Sequence, residues 1–317
     1  MPATRSLIVL ALATLLTLVV APAARAGRGE PRLPVPWTTV AGSHANNVTP
    51  GAPPPGANDW SCDPSARHPN PVILLHGGGS NQTSAWQTFA PLLANNGYCV
   101  FSLTYGVPFA PLPGGLLPME QSARELSVFV DKVRSRTGSA KVDIVGHSAG
   151  TIMPSYYVRF LGGGPKVDKY VSLSPLWHGT TQLGISTLYQ LSETLGLKRW
   201  WDRMVGIVCG ACNQFLQGSE FLKKLHARGI FDPAITYTNI MTRYDWAVIP
   251  YTSGVGHGPG VRNIVLQDEC PLDFAEHGGI LADRNAAGHV LNALDPEHAA
   301  PVGCVLTTPV GSLLPPR

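Results

Sequence analysis

The sequence predicts an α/β fold in which a mostly parallel central sheet is flanked by helices and interrupted by one cap insertion. Three observations carry that prediction. From Pro71 onward, short apolar runs alternate with longer amphipathic stretches, the rhythm of strand-helix-strand units in a parallel sheet. One of those runs, Val142 to Val145, leads directly into Gly146-His147-Ser148-Ala149-Gly150, the Gly-x-Ser-x-Gly pattern of a serine held on a sharp turn between strand and helix. The chain has 317 residues, enough to bury a large core within a single domain.

Taken in order, residues 1–26 have a secretory pattern. Arg5 precedes an apolar run from Leu7 to Val20, and Ala24-Arg25-Ala26 matches a small-x-small cleavage site, so export and cleavage after Ala26 are expected. The run is shorter than the ~20 residues a spanning helix needs, and no other stretch suits a bilayer. Residues 27–70 hold many prolines and few apolar runs, which predicts an extended N-terminal segment with little regular structure. Residues 71–317 form the expected domain. Its first half reads as strand Val72 to Leu75, helix Trp86 to Ala94, strand Cys99 to Leu103, helix Met119 to Val133 and strand Val142 to Val145. The second helix carries Met119, Ala123, Leu126, Phe129, Val130 and Val133 on one stripe, with Gly138 as a stop.

After Ser148, the spacing of Met153, Tyr156, Tyr157 and Phe160 predicts a helix ending at Gly162-Gly163-Gly164, bent at Pro154. A strand over Lys169 to Ser174 follows. The stretch from about 179 to 229 then breaks the rhythm, so it is expected to form a cap. It contains Trp200, Trp201 and the Cys209/Cys212 pair, and its Leu183, Ile185, Leu188 and Leu191 would form apolar patches that either face a substrate cleft or make ordinary helical core. Strands over Ala234 to Met241 and Val261 to Gln267, then a final helix bearing His289, complete the domain.

Composition narrows the function. Net charge is +3, and Arg5 and Arg25 leave with a leader that holds no acidic residue, which lowers it to +1. A near-neutral surface gives no sign of a nucleic-acid partner. Six cysteines, Cys62, Cys99, Cys209, Cys212, Cys270 and Cys304, suit an oxidising compartment and an even disulfide set whose pairing the sequence leaves open. Cys209 and Cys212 lack the second pair that a zinc site needs, and no His-Glu-x-x-His cluster is present. No metal or organic cofactor is therefore expected, and neither is a stable partner chain.

A serine hydroxyl is a weak nucleophile until a base takes its proton, and that base needs a buried acid to fix its tautomer. With the elbow serine first, the expected chain order is serine, acid, histidine, each beyond the end of a strand. Asp245 stands just past a predicted strand end, whereas Asp232 precedes that strand and Asp268 and Asp273 crowd the last one. His277 follows the last strand, while His257 precedes it and His289 sits on the final helix. Ser148, Asp245 and His277 are the expected catalytic residues. An oxyanion also needs two fixed N–H donors, for which Ala149 and Gly78, in the turn His76-Gly77-Gly78-Gly79, are the candidates. His76 is read as a packing or hydrogen-bonding residue of that turn.

These residues together resemble a known family, the secreted class 2 lipases of Streptomyces and related actinobacteria. The resemblance spans about Asn70 to Asp295 and rests on Pro71-Val-Ile-Leu-Leu-His-Gly, Gly97-Tyr-Cys-Val-Phe, Lys141-Val-Asp-Ile-Val-Gly-His-Ser148, Met153-Pro-Ser-Tyr-Tyr, Thr242-Arg-Tyr-Asp245, Leu266-Gln-Asp-Glu-Cys-Pro-Leu-Asp and Glu276-His277-Gly-Gly-Ile. It implies an α/β-hydrolase fold, hydrolysis of lipid esters such as those at an oil-water interface, and Ser148, Asp245 and His277 in the triad positions. It also implies the pairings Cys62 with Cys99, Cys209 with Cys212 and Cys270 with Cys304. Gly78-Gly79 and Ala149 stand where the family carries bulkier side chains, which would widen the acyl site. The same triad would also serve a secreted acyltransferase or a peptidase, and a non-catalytic binding module is the reading from another class. The expected oligomeric state is a monomer.

Overall fold

The computed structural model describes residues 32–181 and 185–312. The predicted leader therefore lies outside the described residues. The N-terminal segment is not extended throughout: Thr39–Val48 form helix α1, capped by the Thr38 hydroxyl, which accepts from the Val40 N–H. No apolar stripe announces this short helix, because only Gly42 is buried along it.

Next come β1 (Val72–Leu75), α2 (Gln82–Ala85), α3 (Phe89–Asn95), β2 (Val100–Leu103), α4 (Met119–Thr137), β3 (Val142–His147), α5 (Ala149–Phe160) and β4 (Val167–Leu173). The single helix expected over Trp86 to Ala94 is two pieces. Pro91 lies in the first turn of α3, where its missing N–H costs no helical hydrogen bond, so the helix starts afresh at Phe89. Helix α4 stops at Gly138, which takes the left-handed conformation at φ 69°. Helix α5 runs unbroken through Pro154.

The cap region holds α6 (Ile185–Thr194), α7 (Lys198–Gly206) and α8 (Glu220–Arg228). The chain then returns through β5 (Thr236–Met241), β6 (Val261–Val265), α9 (Leu266–Glu269), α10 (Arg284–Leu294) and a small hairpin of β7 (Thr307–Thr308) and β8 (Gly311–Ser312). The last long strand is two residues shorter than expected, because Leu266 and Gln267 already belong to α9.

Six strands form one sheet in the order β2-β1-β3-β4-β5-β6, and each neighbouring pair is parallel. Period-two alternation sends their side chains into two cores. On one face Ile73, Ile144, Tyr170 and Tyr237 pack with Leu126 of α4 and Ile152 of α5. On the other, Val72, Val145, Val171 and Ile240 pack with Phe89 of α3 and Val290 of α10. Disulfides join Cys62 to Cys99, Cys209 to Cys212 and Cys270 to Cys304. The described residues from Leu33 onward form one compact unit, and no helix among them is long and apolar enough to cross a membrane.

Candidate active site

The site lies beyond the carboxyl ends of the parallel strands, where open α/β sheets hold their ligands. Ser148 follows β3, Gly78 follows β1, Asp245 follows β5 and His277 follows β6 and α9. Four distant pieces of sequence meet there because the strand order brings their ends together.

The turn at Ser148 is strained. Its φ of 53° and ψ of −123° lie in a region that a non-glycine residue adopts only when its surroundings enforce it. Those surroundings are tight. A Cβ at Gly146 would fall 2.1 Å from the Gly150 carbonyl oxygen, and one at Gly150 would fall 2.2 Å from that of Leu75. Both glycines are thus required by contact, which is the physical content of the pentapeptide. The Ser148 N–H donates to the Leu173 carbonyl at 3.0 Å, and its own carbonyl accepts from the Thr151 N–H at 2.8 Å and hydroxyl at 2.7 Å. Ala149 opens α5, so its N–H has no acceptor within the helix.

His277 is 8% exposed. Its Nδ1 lies 2.9 Å from the Asp245 carboxylate. That carboxylate also accepts from the N–H groups of Ala247 at 3.0 Å and Val248 at 2.7 Å. Burial pushes the Asp245 pKa up, but the hydrogen bond and charge of His277 and the Val248 N–H outweigh it and hold the carboxyl below its ordinary value. A cavity of about 190 Å³ is lined by Ser148 and His277 together with Gly78, Thr180, Phe215 and Val248, among others. Ser148, His277, Asp245, Ala149 and Gly78 therefore converge.

A profile of the class 2 lipases matches residues 69–285, more than half of the chain. The chain belongs to the class 2 lipase family. Its fold is similar to that of Aspergillus fumigatus lipase B, at 18% identity and a TM-score of 0.60 over 81% of this chain and 58% of that one. Bacillus licheniformis lipase BlEst2 in its propeptide form is similar too, at 14% identity and a TM-score of 0.51 over 81% of this chain and 55% of that one. The chain thus spans little more than half the length of either protein. The family and the parallel sheet with its flanking helices agree with one another, a class 2 lipase chain on an α/β-hydrolase fold.

Around these residues of the class 2 lipase chain, several others hold the geometry. His147 is buried, and burial, followed by the neighbouring His277 charge, lowers its pKa to about 3, so it is neutral. Its Nε2–H donates to the His277 carbonyl at 2.8 Å, and the two rings lie 4.7 Å apart. His76 behaves as expected of a turn residue. Burial depresses its pKa to about 4, its Nδ1–H donates to the Gly77 carbonyl at 2.8 Å, and its Nε2 accepts from the Tyr105 N–H at 3.3 Å. Those bonds fix the turn that presents Gly78. Thr180 donates its hydroxyl to the Ala247 carbonyl at 2.7 Å and accepts from the Ile249 N–H at 3.0 Å, tying the start of the cap to the Asp245 loop.

Two expectations need correction. Leu188 and Leu191 are largely exposed, and neither lines the cavity at Ser148. Leu183 lies outside the described residues, as does the Ile185 side chain. Nor does Gly78 leave open space: a Cβ there would lie 3.1 Å from Cζ of Phe215, whose ring occupies the position. Among the described residues no cluster of three or more His, Cys, Asp or Glu side chains is arranged to hold a metal.

Proposed function

We propose that the chain is a secreted serine ester hydrolase that acts on lipid esters through an acyl-enzyme on Ser148. The observation that supports this most directly is the strained Ser148 turn sharing one small cavity with His277, whose Nδ1 is already bonded to Asp245. His277 Nε2 takes the Ser148 hydroxyl proton as the oxygen attacks the ester carbonyl carbon. The N–H groups of Gly78 and Ala149 then hold the developing oxyanion. His277 returns the proton to the departing alcohol, and water, activated by the same histidine, cleaves the acyl-enzyme. Asp245 stays ionised throughout and stabilises the imidazolium.

The secretory pattern of residues 1–26 supports export, with a mature chain starting at Gly27. N-terminal sequencing of the secreted protein tests that step. The activity itself is tested with nitrophenyl butyrate and emulsified tributyrin, comparing wild type with Ser148→Ala. The expected result is hydrolysis of both substrates by wild type and a loss of roughly 10⁴- to 10⁶-fold in kcat for the variant. A folded Ser148→Ala protein that retains wild-type rates would overturn the proposal.

A further inference from the structure

The cavity at Ser148 measures about 190 Å³, below the ~300 Å³ at which small-molecule sites usually begin. A second cavity of about 560 Å³ lies where α7 and α8 face the chain that leads into α4. One turn of the chain borders both. Phe215 lines the small cavity, whereas Asn213 and Gln214, the two residues before it, line the large one. The opposite wall is shared in the same way: a Cβ on Gly78 would lie 3.5 Å from the Gly115 carbonyl oxygen, and Leu116, next in sequence, lines the large cavity.

This partition is firmly held. The Cys209–Cys212 disulfide closes the turn, and the Ala211 N–H donates to the Leu116 carbonyl at 3.0 Å. Gln214 accepts from the Met119 N–H and donates to Glu120, each at 2.7 Å. Asn213 accepts from Trp201 Nε1 and donates to Asp202, each at 2.9 Å. Phe215 itself is only 8% exposed, in contact with the position a side chain at residue 78 would fill. Beyond it, Phe109, Leu116, Ile207, Val208 and Phe221 give the large cavity an apolar stretch suited to a hydrocarbon chain, beside the charged side chains of Glu120, Lys198, Asp202, Glu220 and Lys224.

We propose that Phe215 is the residue that sets acyl-chain length, a fixed wall that confines the acyl group on Ser148 to short chains and keeps longer ones out of the apolar cavity behind it. This rests on the serine-esterase reading above. Shortening the wall deepens the small cavity towards the large one, so the distal carbons of a longer chain gain apolar contact that the proximal ones already have.

The test is the ratio of kcat/KM for nitrophenyl decanoate to that for nitrophenyl acetate. In Phe215→Ala this ratio is expected to rise at least tenfold, since even one methylene of added apolar contact discriminates on that scale. Phe215→Leu, a milder change should the alanine variant fail to fold, shifts it in the same direction by less. Adding Val208→Trp to either variant refills the large cavity and brings the ratio back down. A second readout needs no catalysis: in a Ser148→Ala background, Phe215→Ala is expected to bind dansyl-undecanoic acid at least tenfold more tightly. An unmoved ratio and unmoved fatty-acid binding overturn the wall. Absence of ester hydrolysis in wild type, with binding still tightened by Phe215→Ala, would instead overturn the esterase reading and leave the wall standing.

Discussion

At Gly146 and Gly150 the backbone of neighbouring turns comes so near that hydrogen is the only side chain that fits. Gly146→Ala would drive a methyl group into the Gly150 carbonyl oxygen, and neither partner is a flexible side chain that can swing away. The expected cost is roughly 3 kcal/mol or more, read as a lower urea midpoint at unchanged slope. A midpoint within error of wild type would mean that the elbow relaxes freely. This much was legible in the sequence, because a serine between two glycines after a buried strand has a mechanical explanation. His147 was not. It occupies a variable position of the same pentapeptide, and its bond to the His277 carbonyl joins residues 130 positions apart, for which no local pattern exists. Phe215 escaped for the same reason. The sequence suggested that Gly78 would widen the site, whereas an aromatic ring from the cap fills that space.

Among the elements, the segment that carries His277 is held from behind by the C-terminal hairpin. Asp273 and Asp283 are fully buried there. Asn285 links them, donating its side-chain N–H to Asp273 at 2.8 Å and its backbone N–H to Asp283 at 2.9 Å. The Thr307 hydroxyl donates to Asp283 at 3.0 Å, and the Cys270–Cys304 disulfide closes the arrangement. Burial, reinforced by the neighbouring Asp273 charge, raises the Asp283 pKa to about 8. A carboxyl raised in the folded state holds a proton that the unfolded chain has released, so its contribution is complete below pH ~4 and is lost as pH rises through about 8. Asp143, raised mainly by burial to about 7, acts in the same direction. Melting temperature is therefore expected to fall between pH 6 and pH 9, and Asp283→Asn, which cannot ionise, should fall less steeply. Equal slopes in the two proteins would contradict the assignment. The sequence predicted the strand and helix order well, since hydrophobic periodicity reports which face is buried. It missed α1 because so little of that helix is buried, and it gave no structure to the cap because three short helices separated by turns leave no continuous stripe.

Across the whole molecule, parallel strand order does what no local segment can. Sequence order alone separates Ser148, Asp245 and His277, yet β3, β5 and β6 all end on the same edge of the sheet, so the loops beyond them meet. Strand order is why the three residues that the rule of serine, then acid, then histidine singles out lie beyond strands ending on one edge. It is also why the large cavity could not be foreseen, since its walls come from the cap and from the approach to α4. The most direct test is covalent. Wild type is incubated with an alkyl fluorophosphonate, residual ester hydrolysis is followed, and the protein is mapped by peptide mass spectrometry. A single adduct on Ser148, formed in proportion to the activity lost and absent from Ser148→Ala, is the predicted result; complete inactivation with the adduct on another residue, or continued hydrolysis by a fully labelled Ser148, would contradict it.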